Sequence, residues 1–115
     1  MAKFQLAEFG RLVFDNQEFK EDLVIRTGGR PEPRGSRLVN HELSWEEMKH
    51  YIDENTRKVI VGTGFDGMLV VRPEAQEFLS ARGIELVELK TPDAVEAYNN
   101  EPDKNVVTAI IHSTC

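Results

Sequence analysis

The 115-residue sequence contains one cysteine, Cys115, so no disulfide can form within the chain. That fits a reducing compartment, and a cytoplasmic location is expected. Long hydrophobic runs are missing as well: stretches such as Met68 to Val71 fall far below the roughly 20 apolar residues that span a bilayer, so no membrane span is expected. The amino-terminal "MAKFQLAEFGRLVF" carries Glu8 and Arg11 where a signal peptide needs an apolar stretch, and no export is expected. Positive charge is in deficit. Fourteen Lys and Arg stand against twenty Asp and Glu, for a net charge of -6, which disfavours nucleic acid and anionic membrane surfaces as partners. Histidine is sparse too: His41, His50 and His112 have no metal-ligand spacing, and no metal and no cofactor are expected.

What is present suits one folded domain over residues 1–115, with 40% hydrophobic and 30% charged residues. The first third is strand-like. "KFQLAEF" alternates, "RLVF" and "EF" flank the turn residues Asp15 and Asn16, and "LVIRT" follows, which predicts a small antiparallel unit. "GGRPEPRGS", residues 28–36, has three glycines and two prolines and predicts a connecting loop. Ser44 and Glu47 then form a capping-box pattern, with Trp45, Met48 and Ile52 on one face of a helix running to about Asn55. From there strands and helices alternate: "KVIV", a helix from Pro73 to a stop at Gly83, "IELVEL", a helix opening at Thr91 and Pro92, and the buried strand "NVVTAII". The fold class read from this order is α/β: one domain with a central mixed β-sheet, flanking helices and an N-terminal antiparallel β elaboration.

Residues 59–73, "VIVGTGFDGMLVVRP", place Gly62, Gly64 and Gly67 in the G-x-G-x-x-G spacing of dinucleotide-binding loops. Such a loop must open directly into a helix whose first N–H groups meet the pyrophosphate. A helix begun near Gly64 would meet Pro73 in its third turn, where proline costs roughly 3 kcal/mol. The helix therefore starts at Pro73, and the glycines are read as serving backbone geometry, with Asp66-Gly67 as a tight turn.

The stretch "VIVGTGFDGMLVVRPEAQEFLSARGIELVELKTPDAVEAYN" and the tail "HSTC" resemble the Mth domain family of small uncharacterised α/β proteins. The resemblance runs from "FGRLVF" to Cys115. It implies a three-layer fold around a central mixed sheet and no established reaction, and the family's eukaryotic relatives include an adipogenesis-associated protein and a mitochondrial assembly factor for respiratory complex I. By the same resemblance the family's glycine loop maps to Gly62, Thr63, Gly64 and Gly67, its helix-opening proline to Pro73, and its closing tail to His112, Thr114 and Cys115. His41 is similar to a histidine that precedes the first helix in bacterial relatives. The chain departs from the pattern in "RPEPRGSRLVNHEL", which has no aromatic residue.

Two candidate sites emerge. If "KVIV" and "NVVTAII" pair in parallel, Gly62, Thr63, Gly64 and Gly67 share one sheet edge with His112, Thr114 and Cys115, where open α/β sheets hold ligands. His112 and Cys115 are the residue types of a base and a thiol nucleophile, but on a continuing strand they point to opposite faces. The second candidate is an anion-binding loop of Arg26, Arg30, Arg34 and Arg37, with only Glu32 opposing them. Arg30 and Arg34 are read as exposed, so reversing both should barely affect folding. A non-enzymatic binding or assembly protein acting through a protein partner is the leading functional expectation. The alternative is a small-molecule or anion-binding protein, with or without catalysis, using the Gly62–Gly67 loop and the tail.

Overall fold

The computed structural model describes residues 2–35 and 41–115. Strands β1 (Phe4–Glu8), β2 (Arg11–Phe14) and β3 (Gln17–Phe19) form an antiparallel sheet. Its second turn places Asp15 and Asn16 at φ 49° and 66°. Two successive left-handed residues match the twist of the flanking strands, and Asp and Asn tolerate them best after glycine. "LVIRT" leaves this unit. It forms β4 (Leu23–Arg26) of a five-stranded sheet, pairing antiparallel with the last strand.

The "GGRPEPRGS" segment is not simply a loop. Arg30–Pro33 forms β5, a hairpin partner of β4 with Leu23 opposite Pro33 and Ile25 opposite Pro31. Prolines lack the N–H that a central strand must donate, and an edge strand needs only one of its two sides. The helix expected to run to about Asn55 is also shorter: α1 spans Trp45–Met48, with Ser44 Oγ accepting from Glu47 N–H at 3.2 Å. Beyond it, polar side chains compete for the backbone. Asp53 accepts from Asn55 N–H at 2.8 Å and Thr56 Oγ1 accepts from Asp53 N–H at 3.0 Å, which favours turns over a continued helix.

The remaining order follows the alternation. Strand β6 (Glu42–Leu43) pairs in parallel with β8 (Val70–Val71) as a separate two-stranded sheet, and β7 (Lys58–Gly62) falls between them in sequence. Then come α2 (Pro73–Ala81), β9 (Glu85–Leu89), α3 (Thr91–Asn99) and β10 (Val107–Ile111). The central sheet has the order β5-β4-β10-β7-β9, with β10, β7 and β9 parallel, β4 antiparallel to β10, and β5 antiparallel to β4. Period-two alternation splits its side chains between two cores. Ile60, Val107, Ala109 and Ile111 pack with Phe4, Phe14, Ala94 and Tyr98 on the side of α3 and the small sheet. Val59, Val61 and Ile110 pack with Leu43, Met48, Ala75 and Leu79 on the side of α1 and α2. These are the three layers expected. Among the described residues, no helix is long and apolar enough to cross a membrane.

One polar atom stands out in the first core. The Tyr98 hydroxyl is buried without a hydrogen-bond partner among the described residues, although the ring packs edge-on to Phe4 and Phe14 and lies under the Lys104 ammonium. Removing an unsatisfied buried hydroxyl relieves a desolvation cost while keeping those ring contacts. Tyr98→Phe should therefore be at least as stable as the parent in urea unfolding. A loss of more than about 1 kcal/mol would show that the hydroxyl is bonded in solution.

Candidate functional site

Because β10 and β7 are parallel neighbours with Ile111 opposite Gly62, the segments that follow them leave the sheet at one edge. His112 N–H donates to Gly62 O at 2.9 Å. The Thr91 hydroxyl, at the start of α3, then bridges the two segments, accepting from Gly64 N–H at 2.9 Å and donating to His112 O at 2.6 Å. Beyond this point the glycine loop grasps the tail directly. Phe65 N–H donates to Thr114 O at 2.7 Å, and Asp66 and Met68 N–H donate to Cys115 O at 3.2 and 2.8 Å. Gly64 takes φ +103°, and a Cβ there would strike the Cys115 backbone and lie 2.8 Å from the His112 ring. Gly67, at φ +71°, supplies the tight turn. Thr63 directs both its N–H and its hydroxyl to Leu89 O, at 2.8 and 3.1 Å. The loop is thus a clasp for the tail.

A polar cluster faces the tail from the other side. Asp22 lies just before β4, whose first residue pairs with Ile111, so its carboxylate reaches the same edge. Oδ1 accepts from Ser113 N–H at 2.8 Å and from the Ser113 hydroxyl at 3.0 Å. Oδ2 lies 2.8 Å from His112 Nδ1 and 3.0 Å from an Arg34 terminal nitrogen. A carboxylate only accepts, so Nδ1 carries the hydrogen, and Nε2 of the neutral ring is left as an acceptor 3.4 Å from the Thr114 hydroxyl. Arg34 continues inward. Its guanidinium forks onto both oxygens of buried Glu47 and donates to Glu42 O at 2.7 Å, while the Tyr51 hydroxyl donates to Glu47 Oε2 at 2.8 Å.

The protonation equilibria follow these contacts. Burial alone would raise the Asp22 pKa, but the bonds from His112, Ser113 and Arg34 outweigh it and hold the carboxyl below its ordinary range. Burial would likewise lower Arg34, and Glu47 and Asp22 reverse that, leaving the guanidinium firmly charged. Burial and the neighbouring Glu47 carboxylate push the Tyr51 phenol upward, so it remains a donor. Above this floor opens a cleft of about 520 Å³ whose lining includes Lys20, Glu21, Asp22, Arg34, His41, His112, Thr114 and Cys115.

The arginine loop does not present a row of free exposed cations. Arg26 is engaged by Glu32 at 2.7 and 3.1 Å, and Arg30 donates to Thr27 O at 3.2 Å. Arg34, expected to be exposed, is buried and held between Asp22 and Glu47; Arg37 lies outside the described residues. Cys115 does not face His112 as its nearest base. Its Sγ lies 3.6 Å from His41 Nε2, and the His41 ring meets His112 edge-on at 5.3 Å between centroids. Among the described residues, no group of three or more His, Cys, Asp or Glu could hold a metal ion. Sequence reasoning missed Asp22, Glu47 and Tyr51. The four-residue spacing of Glu47 and Tyr51 was the available signal, since it places both on one face of a helical turn.

Burial of Arg34 reverses the expected outcome for the arginine variants. Deleting one member of a buried ionic cluster strands the others, at a cost of about 3–5 kcal/mol, whereas exposed Arg30 should matter by about 0.5 kcal/mol or less. Urea unfolding of Arg34→Gln and Arg30→Gln should show that separation. Equal midpoints would contradict the buried cluster.

The comparisons with known proteins agree on the fold and family. Residues 4–111 match the family described as "Protein of unknown function (DUF498/DUF598)". The chain is similar to a conserved hypothetical protein from Pyrococcus horikoshii, with 33% identity, 98% of this chain and 99% of that one covered, and a TM-score of 0.90. It is also similar to a protein designated MT938, with 26% identity, 98% of each chain covered and a TM-score of 0.79. An outer membrane protein from Bartonella henselae shares the fold alone, at 15% identity and a TM-score of 0.77, with 97% of this chain and 94% of that one covered. With its family match running almost end to end, the chain belongs to the DUF498/DUF598 family of unknown function, in which the Mth domain proteins fall.

Proposed function

We propose that this protein binds a small carboxyl- or carbonyl-bearing molecule in the cleft above Asp22, His112 and Thr114. The observation that carries the reading is the Asp22–His112 pair at the cleft floor. Asp22 spends its acceptor capacity on His112, Ser113 and Arg34, so it serves to aim the imidazole. His112 Nε2, the Thr114 hydroxyl and Lys20 can meet a ligand here, in a cleft that Glu21, His41 and Cys115 also line. Convergent polar groups in a preformed concavity suit a small molecule better than a flat partner surface. The glycine loop contributes indirectly, by holding the tail that carries His112 and Thr114.

A second reading, a non-enzymatic assembly-type protein acting through a partner, is favoured by one different feature. Phe9 is 62% exposed and in ring contact with Phe65, and Met68 is 53% exposed. Both flank the tail, since Gly10 N–H donates to Ser113 O and Met68 N–H to Cys115 O. Exposed apolar residues in such proximity mark association surfaces. The cytoplasm remains the proposed compartment, on cysteine content alone.

Titration of the ¹⁵N-labelled protein with acetate, succinate and inorganic phosphate separates the two. The cleft reading expects saturable amide shifts confined to residues 20–22 and 112–115 for at least one of these, weakened in Lys20→Ala. Shifts that never saturate, or that scatter over the surface, would contradict it and leave the partner reading in front.

A further inference from the structure

We propose that Thr114 is a nucleophile for acyl transfer from small activated esters, with His112 as its base and Asp22 as the positioning residue. The inference rests on the cleft-binding reading and adds a reaction to it. Three side chains stand in the relation that nucleophilic catalysis requires. The Asp22 carboxylate bonds Nδ1 of His112 at 2.8 Å, and Nε2 faces the Thr114 hydroxyl at 3.4 Å. The second contact is long for a hydrogen bond between these atoms, and such contacts are commonly loose before substrate arrives. The base is buried and fixed, while Thr114 is half-buried and lines the open cleft.

Cys115 is the competing nucleophile, and the geometry favours Thr114. The thiol lies 3.6 Å from His41, but among the described residues no carboxylate bonds the His41 ring to orient it. His112, in contrast, is anchored to a carboxylate that Arg34 and Ser113 hold in place. That anchoring selects the tautomer with the hydrogen on Nδ1, so that in the neutral ring Nε2 carries the lone pair a base needs.

The chemistry balances without an outside oxidant or reductant. Thr114 Oγ adds to the acyl carbonyl carbon as its proton passes to His112 Nε2. Lys20, at the same cleft, is the cation that offsets the charge on the tetrahedral oxygen, because Arg34 is committed to Asp22 and Glu47. The bond to the leaving alcohol breaks, and the alcohol takes the proton from Nε2. Water then attacks the acyl-threonine with His112 accepting one proton, the Thr114–acyl bond breaks, that proton passes to Oγ, and the carboxylic acid is released and gives its remaining proton to solvent.

The test uses the full chain with p-nitrophenyl acetate, following nitrophenolate release and mapping acetyl groups by mass spectrometry. Wild type should show a burst with acetyl on Thr114; Thr114→Val and His112→Gln should slow it by about 100-fold or more, and Thr114→Ser should keep it within about tenfold. Acetylation of surface lysines is the internal control and should be equal in all variants. Should His112→Gln fail to fold, Thr114→Val still decides, because its side chain lies outside the Asp22–Arg34–Glu47 cluster. An unchanged burst in Thr114→Val, or acetyl found on Cys115 or lysines alone, overturns the proposal. Saturable carboxylate binding without acetyl-Thr114 removes the nucleophile and spares the cleft reading; absence of both removes both.

Discussion

The Asp22 carboxylate accepts from His112 Nδ1, Ser113 N–H, the Ser113 hydroxyl and Arg34, and these donors come from two separate parts of the chain. The first three belong to the tail that follows β10; the fourth follows β5 and leads to Glu47 on α1. A short loop before β4 thereby joins the central sheet, its edge hairpin and the helical layer at one point. The orientation of His112 and the position of Ser113 follow from where this carboxylate stands.

Such an arrangement is a poor way to gain stability. Behind the cleft floor the Arg34 guanidinium is buried against the buried Glu47 and the partly buried Asp22, and ions so placed lose hydration before their partners return any. Well-packed apolar side chains would often do as well. What the cluster supplies is direction: a guanidinium held on both sides fixes Asp22, and Asp22 fixes one tautomer of His112. The same reasoning explains the clasp. The N–H groups of Phe65, Asp66 and Met68 are committed to tail carbonyls, which keeps Thr114 beside His112.

Much of the fold was legible. Period-two and buried runs marked β7, β9 and β10, the Pro73 and Thr91–Pro92 starts marked α2 and α3, and the parallel pairing that joins loop and tail followed from two central strands. Pro73 also correctly separated the glycine loop from the start of α2. The failures around the site share a cause, which is that a residue's partner was distant in sequence, whereas α1 ends early for a local reason, the competition of Asp53 and Thr56 for the backbone. Pro31 and Pro33 suggested a loop, yet an edge position opposite β4 accommodates them. Arg34 sits in a charged stretch that looks solvated, and its burial depends on Asp22 twelve residues before it and Glu47 thirteen after it. Asp22 itself has no local signal, because its role arises only when β4 pairs with β10 ninety residues away. His112 and Cys115 were not expected to pair on a continuing strand, and the tail brings the Cys115 thiol to His41.

The most direct measurement is the tautomer of His112. Long-range ¹H–¹⁵N correlation at a pH where the ring is neutral should show Nδ1 protonated and Nε2 bearing the free pair, with Asp22→Asn altering that signature. A ring protonated at Nε2, or one exchanging freely between the two forms, would contradict the claim that Asp22 aims His112 into the cleft.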